Sequence, residues 1–238
     1  MKQLFYLLLG MKYSYLALGD SYTIGEQVTF EQNFPNQTVD LLRKTPSAVV
    51  NPDGGLKENK NQTAAGADSP RQGLQIATPQ IIAQTGWTTD ELDAAITAAA
   101  VTKQFDIVSL LIGVNNQFRG RSVSNFKIEF GHLLQRSIQF AGNKPNHVFV
   151  LSIPDWGVTP FAEGRNRKQI AAEIDAYNLV CESGAKQFET HFINITLSQR
   201  KDGNKDEFLA PDKLHPSVKE YAKWAIKLSE AIKNEFGK

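Results

Sequence analysis

The chain predicts an α/β fold: a three-layer α/β/α flavodoxin-like domain with a central parallel five-stranded sheet. Two observations carry that prediction. Apolar runs of five to eight residues alternate with longer amphipathic stretches, and strands that alternate with helices of ten or more residues form βαβ units, whose crossovers require parallel pairing. With 238 residues, 41% hydrophobic and 21% charged, the chain can bury one sizeable core and is neither disordered nor collagen-like.

Tyr13 to Leu18 reads as a buried strand. Asn33 to Arg43 reads as a helix, with Pro35 in its first turn, where a missing N–H costs nothing, and Val39, Leu41 and Leu42 inside. Gln80 to Gln84 is the second strand. Thr89 to Val101 is a helix with Leu92, Ala95, Ile96 and Ala99 as its apolar side. Phe105 to Ile112 is the third strand, rich in β-branched and aliphatic residues. Ser122 to Phe140 is a helix whose stripe is Phe126, Phe130, Leu133 and Ser137. His147 to Ile153 is the fourth strand. Arg167 to Phe188 is a long helix with Ile170, Ile174, Tyr177, Cys181, Ala185 and Phe188 at helical spacing, a core-facing stripe. His191 to Thr196 is the last strand. Pro216 to Phe236 closes the chain as a helix with Val218, Ala222, Ala225 and Ile232 inward.

Residues 13–238 are thus read as one domain. Residues 1–12 are read as a flexible N-terminal extension. Their apolar run, Leu4 to Leu9, is too short to span a membrane, and no A-x-A site follows it. Asn51 to Gln75 breaks the rhythm, with four glycines and no aromatic residue, and reads as a surface excursion. Lys plus Arg number 26 against 25 for Asp plus Glu, so there is no general pull toward nucleic acid or acidic lipid. Cys181, on the core stripe and the only cysteine, excludes an internal disulfide and a cysteine-based structural zinc site. The expectations are a cytoplasmic protein, with a secreted or periplasmic one as the alternative, acting on a small molecule, without nucleic acid or stable membrane insertion, of open oligomeric state.

In an open parallel sheet, ligands bind beyond the carboxyl ends of the strands. There the sequence places Gly19-Asp20-Ser21-Tyr22, Thr85-Gly86-Trp87-Thr88-Thr89, Gly113-Val114-Asn115-Asn116, Pro154-Asp155-Trp156-Gly157 and Asp212-Lys213-Leu214-His215-Pro216. Ser21 is either a helix N-cap or a nucleophile, and a nucleophile needs a base. His132 lies inside a helix, and His147 and His191 lie at strand starts, the opposite end of the sheet. Only His215 lies at the ligand edge. Asp212, three residues earlier, can reach one ring nitrogen and leave the other free, which holds the tautomer and stabilises the imidazolium. The same D-x-x-H-P run also suits a helix N-terminus with Asp as its cap. The Ser21 N–H, the Gly86 N–H and the Asn115 side-chain amide are the natural donors for an oxyanion, although Asn115 also suits a turn. Asp20, Trp87, Phe118 and Trp156 are candidate substrate-binding residues. Trp156, with Asp155 beside it on a proline-stiffened loop, either covers the core or lines the site.

These blocks resemble the GDSL or SGNH hydrolases, which include thioesterase I/lysophospholipase L1-like enzymes, arylesterases and carbohydrate acetylesterases. The resemblance runs from about Tyr13 to the C-terminal helix. It implies Ser21 as nucleophile, Gly86 and Asn115 in the oxyanion hole, and Asp212 and His215 completing a triad, with no metal and no cofactor. It implies a serine esterase that hydrolyses carboxylic esters or thioesters through an acyl-enzyme. Two residues depart from the family pattern: Tyr22 stands where GDSL has Leu, and Asn116 stands where G-x-N-D has Asp, keeping the shape and losing the charge. Carbohydrate O-acetylesterase and lysophospholipase specialisations stay open. Outside this class stand a flavodoxin-like carrier, for which Ser21 to Gly25 is a poor phosphate loop, and a silent carbohydrate-binding protein, which would have lost a catalytic residue. The absence of G-x-S-x-G, of G-x-x-x-x-G-K-[ST] and of G-x-G-x-x-G after the first strand speaks against an α/β-hydrolase elbow and nucleotide binding.

Overall fold

The computed structural model describes residues 13–44 and 73–236. The expected N-terminal extension, and all of the expected excursion except residues 73–75, lie outside these. Five parallel strands form one sheet in the order β2-β1-β3-β4-β5, namely β1 Tyr15–Asp20, β2 Gln80–Gln84, β3 Ile107–Leu111, β4 Val148–Leu151 and β5 His191–Ile193. The helices are α1 Ser21–Ile24, α2 Phe34–Arg43, α3 Thr89–Ala98, α4 Val114–Phe118, α5 Val123–Phe140, α6 Arg167–Gln187, α7 Thr196–Asp202 and α8 Val218–Phe236. The crossover connections put α2 and α8 together on one face of the sheet and α3, α5 and α6 side by side on the other. This is the predicted three-layer α/β/α arrangement. Among the described residues no helix is long and apolar enough to cross a membrane.

The burial pattern follows from that layering. β1, β3 and β4 are buried along their whole length, as interior strands covered on both faces must be. The edge strands β2 and β5 are only partly buried, and Gln80, Gln84 and His191 blunt them with polar groups. The stripes predicted on α5 and α6 face the core, with Phe126, Phe130, Leu133, Ser137, Ile170, Ile174, Tyr177, Cys181 and Ala185 all buried.

Where the structure differs from the sequence reading, the cause is tertiary. β1 starts two residues late, because Tyr13 makes only an isolated bridge to Ile76, and it runs on through Asp20, which still pairs with Gln84. The short helices α1, α4 and α7 are not among the predicted helices; α1 and α4 fall in predicted strand-end turns, and of α7 only Thr196 lies in a predicted element, the last strand. On α8 the inward face is Tyr221, Trp224, Ala225, Leu228 and Ile232, while Val218 is exposed. Of the expected stripe Ala225 and Ile232 are buried, Ala222 is only partly buried and Val218 is exposed, while the amphipathic aromatics Tyr221 and Trp224 fill inward positions outside that stripe. The helix also starts two residues late, since Pro216 forms an antiparallel bridge with Leu209.

Trp224 ties this face together. Its ring lies 5.2 Å from Tyr221, 6.2 Å from Phe34 and 6.0 Å from Tyr22. Its indole N–H donates to the buried Glu220 carboxylate at 3.0 Å, which Lys223 neutralises at 2.9 Å. Truncation leaves a large cavity and removes one of the two hydrogen bonds to Glu220 Oε1, which keeps the Ser198 hydroxyl at 3.0 Å. Trp224→Ala is expected to lower unfolding stability by about 3–5 kcal/mol, measured by urea titration; a loss under about 1 kcal/mol would show that this cluster does not hold α2 to α8.

Candidate active site

Each site element begins where a strand ends. Asp20 is the last residue of β1 and the N-cap of α1: its carboxylate accepts the Tyr22 N–H at 3.0 Å. Ser21 is therefore the first helical residue rather than the cap, and its hydroxyl is free to turn outward. At the end of the chain, Leu209 bridges Pro216 and the Ala210 N–H donates to the His215 carbonyl at 2.8 Å, which pins the loop carrying His215. Asp212 does not cap α8. Its Oδ1 accepts the backbone N–H groups of Leu214 and His215 at 3.0 Å each, in a turn where Lys213 takes a positive φ of 59°.

These two turns meet. Asp212 Oδ2 lies 2.6 Å from His215 Nδ1, and His215 Nε2 lies 3.0 Å from Ser21 Oγ. The serine and the histidine are buried, and the Tyr22 ring packs 5.3 Å from the imidazole. Burial works to raise the Asp212 pKa, but the His215 side chain and the two backbone N–H donors outweigh it and hold the carboxyl below its usual value. An ionised carboxylate there keeps Nδ1 protonated and presents the bare Nε2 to Ser21.

Gly86 and Asn115 come from the ends of β2 and β3. Gly86 has φ 86°, and a side chain there would meet only the tip of Arg119, so it is the left-handed turn rather than crowding that favours glycine. Its carbonyl is held by Arg119 Nη2 at 2.6 Å, and that arginine is braced by Glu91 at 3.1 Å. Asn115 stands in the first turn of α4. Its Nδ2 donates one hydrogen to the Trp87 carbonyl at 2.9 Å, leaving the second hydrogen for another acceptor.

A pocket of about 160 Å³ opens over Ser21 and His215 and is walled by Val114, Phe118, Trp156, Phe161 and Leu214, with Gly86 and Asn115 at its margin. Trp156 is only 3% exposed, yet it does both things weighed from the sequence: it closes the core and lines the pocket. Its N–H donates to Gln117 Oε1 at 2.8 Å, and Phe118 and Phe161 meet it edge-on. Phe118 is 47% exposed and also lines the pocket.

Two candidates are not brought to the pocket by their side chains. The Trp87 ring packs against the core, and the residue acts through its carbonyl on Asn115. Asp20 lies beneath Ser21, buried, where it caps α1. The pairing of Asp155 with the Trp156 face is also corrected: Asp155 is buried, accepts the Gly157 N–H and pairs with Arg200 Nε at 2.8 Å, turned from the pocket. Sequence reasoning missed Phe161, whose signal was its place in the same proline-stiffened loop, and Arg119, which carried no signal. His132 pairs with Asp93 on the surface, and His191 stacks on Phe149 at the far end of the sheet. Among the described residues no group of three or more His, Cys, Asp or Glu side chains is placed to hold a metal ion.

The pattern of the GDSL-like Lipase/Acylhydrolase family matches residues 17–223, and the chain belongs to that family of ester hydrolases. Comparison with curated protein sequences yields no significant match. Solved structures with the same fold include TesA, at 15% identity and TM-score 0.63, covering 94% of this chain and 99% of that one. The esterase EstA from Pseudoalteromonas sp., inhibited by monoethylphosphonate, is 14% identical at TM-score 0.63, with 95% and 100% covered. The acetylxylan esterase Axe2 from Geobacillus stearothermophilus is 18% identical at TM-score 0.61, with 96% of each chain covered.

Asp20 also titrates unusually. Burial raises its pKa from 3.8 to about 7, against the opposing Tyr22 N–H. The folded state then binds a proton that the unfolded chain has lost, so this group's contribution is present below the unfolded value and lost as pH rises through 7. Relative to Asp20→Asn, which keeps the capping oxygen, the protein is expected to lose roughly 1.4 kcal/mol per pH unit between about pH 4 and 7 and nothing further above. Parallel denaturation curves across this range that differ by a constant would refute the raised pKa.

Proposed function

We propose that the chain is a serine esterase for short acyl groups, working through Ser21, His215 and Asp212. The observation that carries this reading is the continuous hydrogen-bonded line from Asp212 Oδ2 through the imidazole to Ser21 Oγ, opening into a pocket lined mostly by apolar side chains. Ser21 Oγ attacks the acyl carbon, and its proton passes to His215 Nε2. The Ser21 and Gly86 N–H groups and the spare Asn115 amide hydrogen hold the developing oxyanion. His215 returns the proton to the leaving alkoxide, and an acyl-enzyme remains. Water then attacks that ester with His215 as base, the acid departs, and Ser21 recovers its proton. The Asp212 charge stabilises the imidazolium in both halves of the cycle.

Pocket size speaks for the acyl length. About 160 Å³ is close to a cavity that takes benzene, which suits acetyl to butyryl groups better than the long chains of lysophospholipids. One observation favours the carbohydrate O-acetylesterase reading in particular. A wider polar cleft of about 420 Å³, bordered by Gln117, Arg165, Asn166, Gln169 and Glu173, shares Phe118 and Trp156 with the pocket. Arg165 lies over both those rings and Phe161, at 5.2–5.7 Å. Amides, one cation and one carboxylate beside an aromatic wall suit a neutral, hydroxyl-rich alcohol.

Two measurements test this. Ser21→Ala and His215→Ala are each expected to cut kcat by about 10⁶-fold, and Asp212→Ala by about 10⁴-fold, with folding intact. Near wild-type turnover by Ser21→Ala would end the proposal. A series of p-nitrophenyl esters beside acetylated sugars is expected to show kcat/KM highest at acetyl or butyryl and about tenfold or more lower at decanoyl; a maximum at decanoyl would exclude the short-acyl reading.

A further inference from the structure

The proposed oxyanion donors Gly86 and Asn115 belong to two different strand-end segments, a turn and the first turn of α4, and something must hold those segments in register. The link is buried and polar. Asn116, fully buried, uses Oδ1 to accept the Thr89 N–H at 3.1 Å and Nδ2 to donate to Thr89 Oγ1 at 2.6 Å. The Thr89 hydroxyl has one proton, and it goes to Glu129 Oε2, reached from α5. Glu129 is itself held by Asn125 Nδ2 at 2.7 Å, and Arg121 Nη1 lies 3.7 Å away. Asn116 Nδ2 also faces Glu129 Oε2, at 3.5 Å. The polarity of this chain is therefore set: amide to hydroxyl to carboxylate.

Asn116 is the residue that departs from the G-x-N-D pattern. An aspartate there would accept both the Thr89 N–H and the Thr89 hydroxyl proton. In this chain the amide takes over one of those roles and a distant glutamate takes the other. We propose that Glu129 is a positioning residue: through Thr89 and Asn116 it fixes the α3 and α4 starts against each other, and so sets the spacing of Gly86 and Asn115. The inference rests on the oxyanion role of those two residues. It differs from that reading in naming the charge that holds them and the position from which it acts.

The same physics defines the test. With Asn116→Asp alone, two carboxylates flank a hydroxyl that has one proton, so one carboxylate oxygen is left without that donor and faces a like charge. With Glu129→Gln alone, the hydroxyl keeps an acceptor but loses the charged one. With both changes, the carboxylate sits at 116 and an amide at 129, and the chain of bonds is restored with reversed polarity. Expected is a loss in kcat of about tenfold or more for Asn116→Asp and about threefold for Glu129→Gln, with KM within about twofold, because small displacements of transition-state donors cost turnover. The combined Asn116→Asp/Glu129→Gln variant is expected within about threefold of wild type, where independent effects would multiply to about thirtyfold. Multiplying losses, losses confined to KM, or variants that lose only thermal stability with unchanged kcat would overturn the proposal. If Asn116→Asp does not fold, recovery of a folded, active enzyme on adding Glu129→Gln supports it, and failure to recover overturns it. Asn115→Ala, measured alongside, separates the two layers: unchanged kcat there defeats the oxyanion role itself, while a fall in kcat together with multiplying losses defeats only the role of Glu129.

Discussion

Parallel pairing of five strands forces every strand to end at the same edge, and the candidate active site is a consequence of that single constraint. β1 lies between β2 and β3, in register with both, so that Gly19 faces Ala83 on one side and Leu111 on the other. Residues that follow these strands therefore emerge within a few ångströms of one another, although about 65 and 30 positions of chain separate them. Ser21, Gly86 and Asn115 share one rim for this reason. The last loop joins them from the far edge because α8 returns across the sheet to pack on α2, bringing His215 to 3.0 Å from Ser21.

Within that rim, environment separates two carboxylates of the same chemistry. Asp212 is half-exposed and receives two backbone N–H groups and an imidazole, which keep it ionised. Asp20 is buried with one side-chain acceptor bond to Tyr22, and desolvation pushes its pKa to about 7. The aromatic group of Tyr22, Trp224, Tyr221 and Phe34 forms the apolar ground beneath both. Through the Tyr22 ring, 5.3 Å away, it backs the imidazole that faces Ser21.

The family match covers most of the chain, while the three solved structures named above are 14–18% identical to it. Such divergence is what a packed parallel sheet tolerates: core positions accept many apolar residues if volume and pattern persist. The turns that carry chemistry tolerate less. Gly113 has φ 128°, and a side chain there would run into Ile153 and Phe126 at 2.7 Å, so both conformation and space require glycine just before Asn115. At Asn116 the buried amide bonds Thr89, and the Thr89 hydroxyl in turn bonds Glu129.

What the sequence determined by itself is what depends on neighbours along the chain. Helical and strand periodicity are local, so β2 was bounded correctly and α6 was placed with its buried stripe, and the spacing of Asp212 and His215 foretold that their side chains would meet. The order of the polar blocks at strand ends marked Ser21, Gly86 and Asn115 as candidates for one site. Only the tertiary structure decided where each polar side chain finds its partner, because a buried donor or acceptor takes whatever complement folding brings to it, at any distance in sequence. Asp155 turned to Arg200, 45 residues on, and Trp87 offered its carbonyl rather than its ring. Asp20 rather than Ser21 capped α1, Trp156 became both core and wall, and Glu129 reached Thr89 across 40 residues. None of these pairings has a period to read: the Asp20 cap is a local contact two residues along the chain, and the others are fixed by the packing of elements remote in sequence and by the cost of leaving a buried polar group alone.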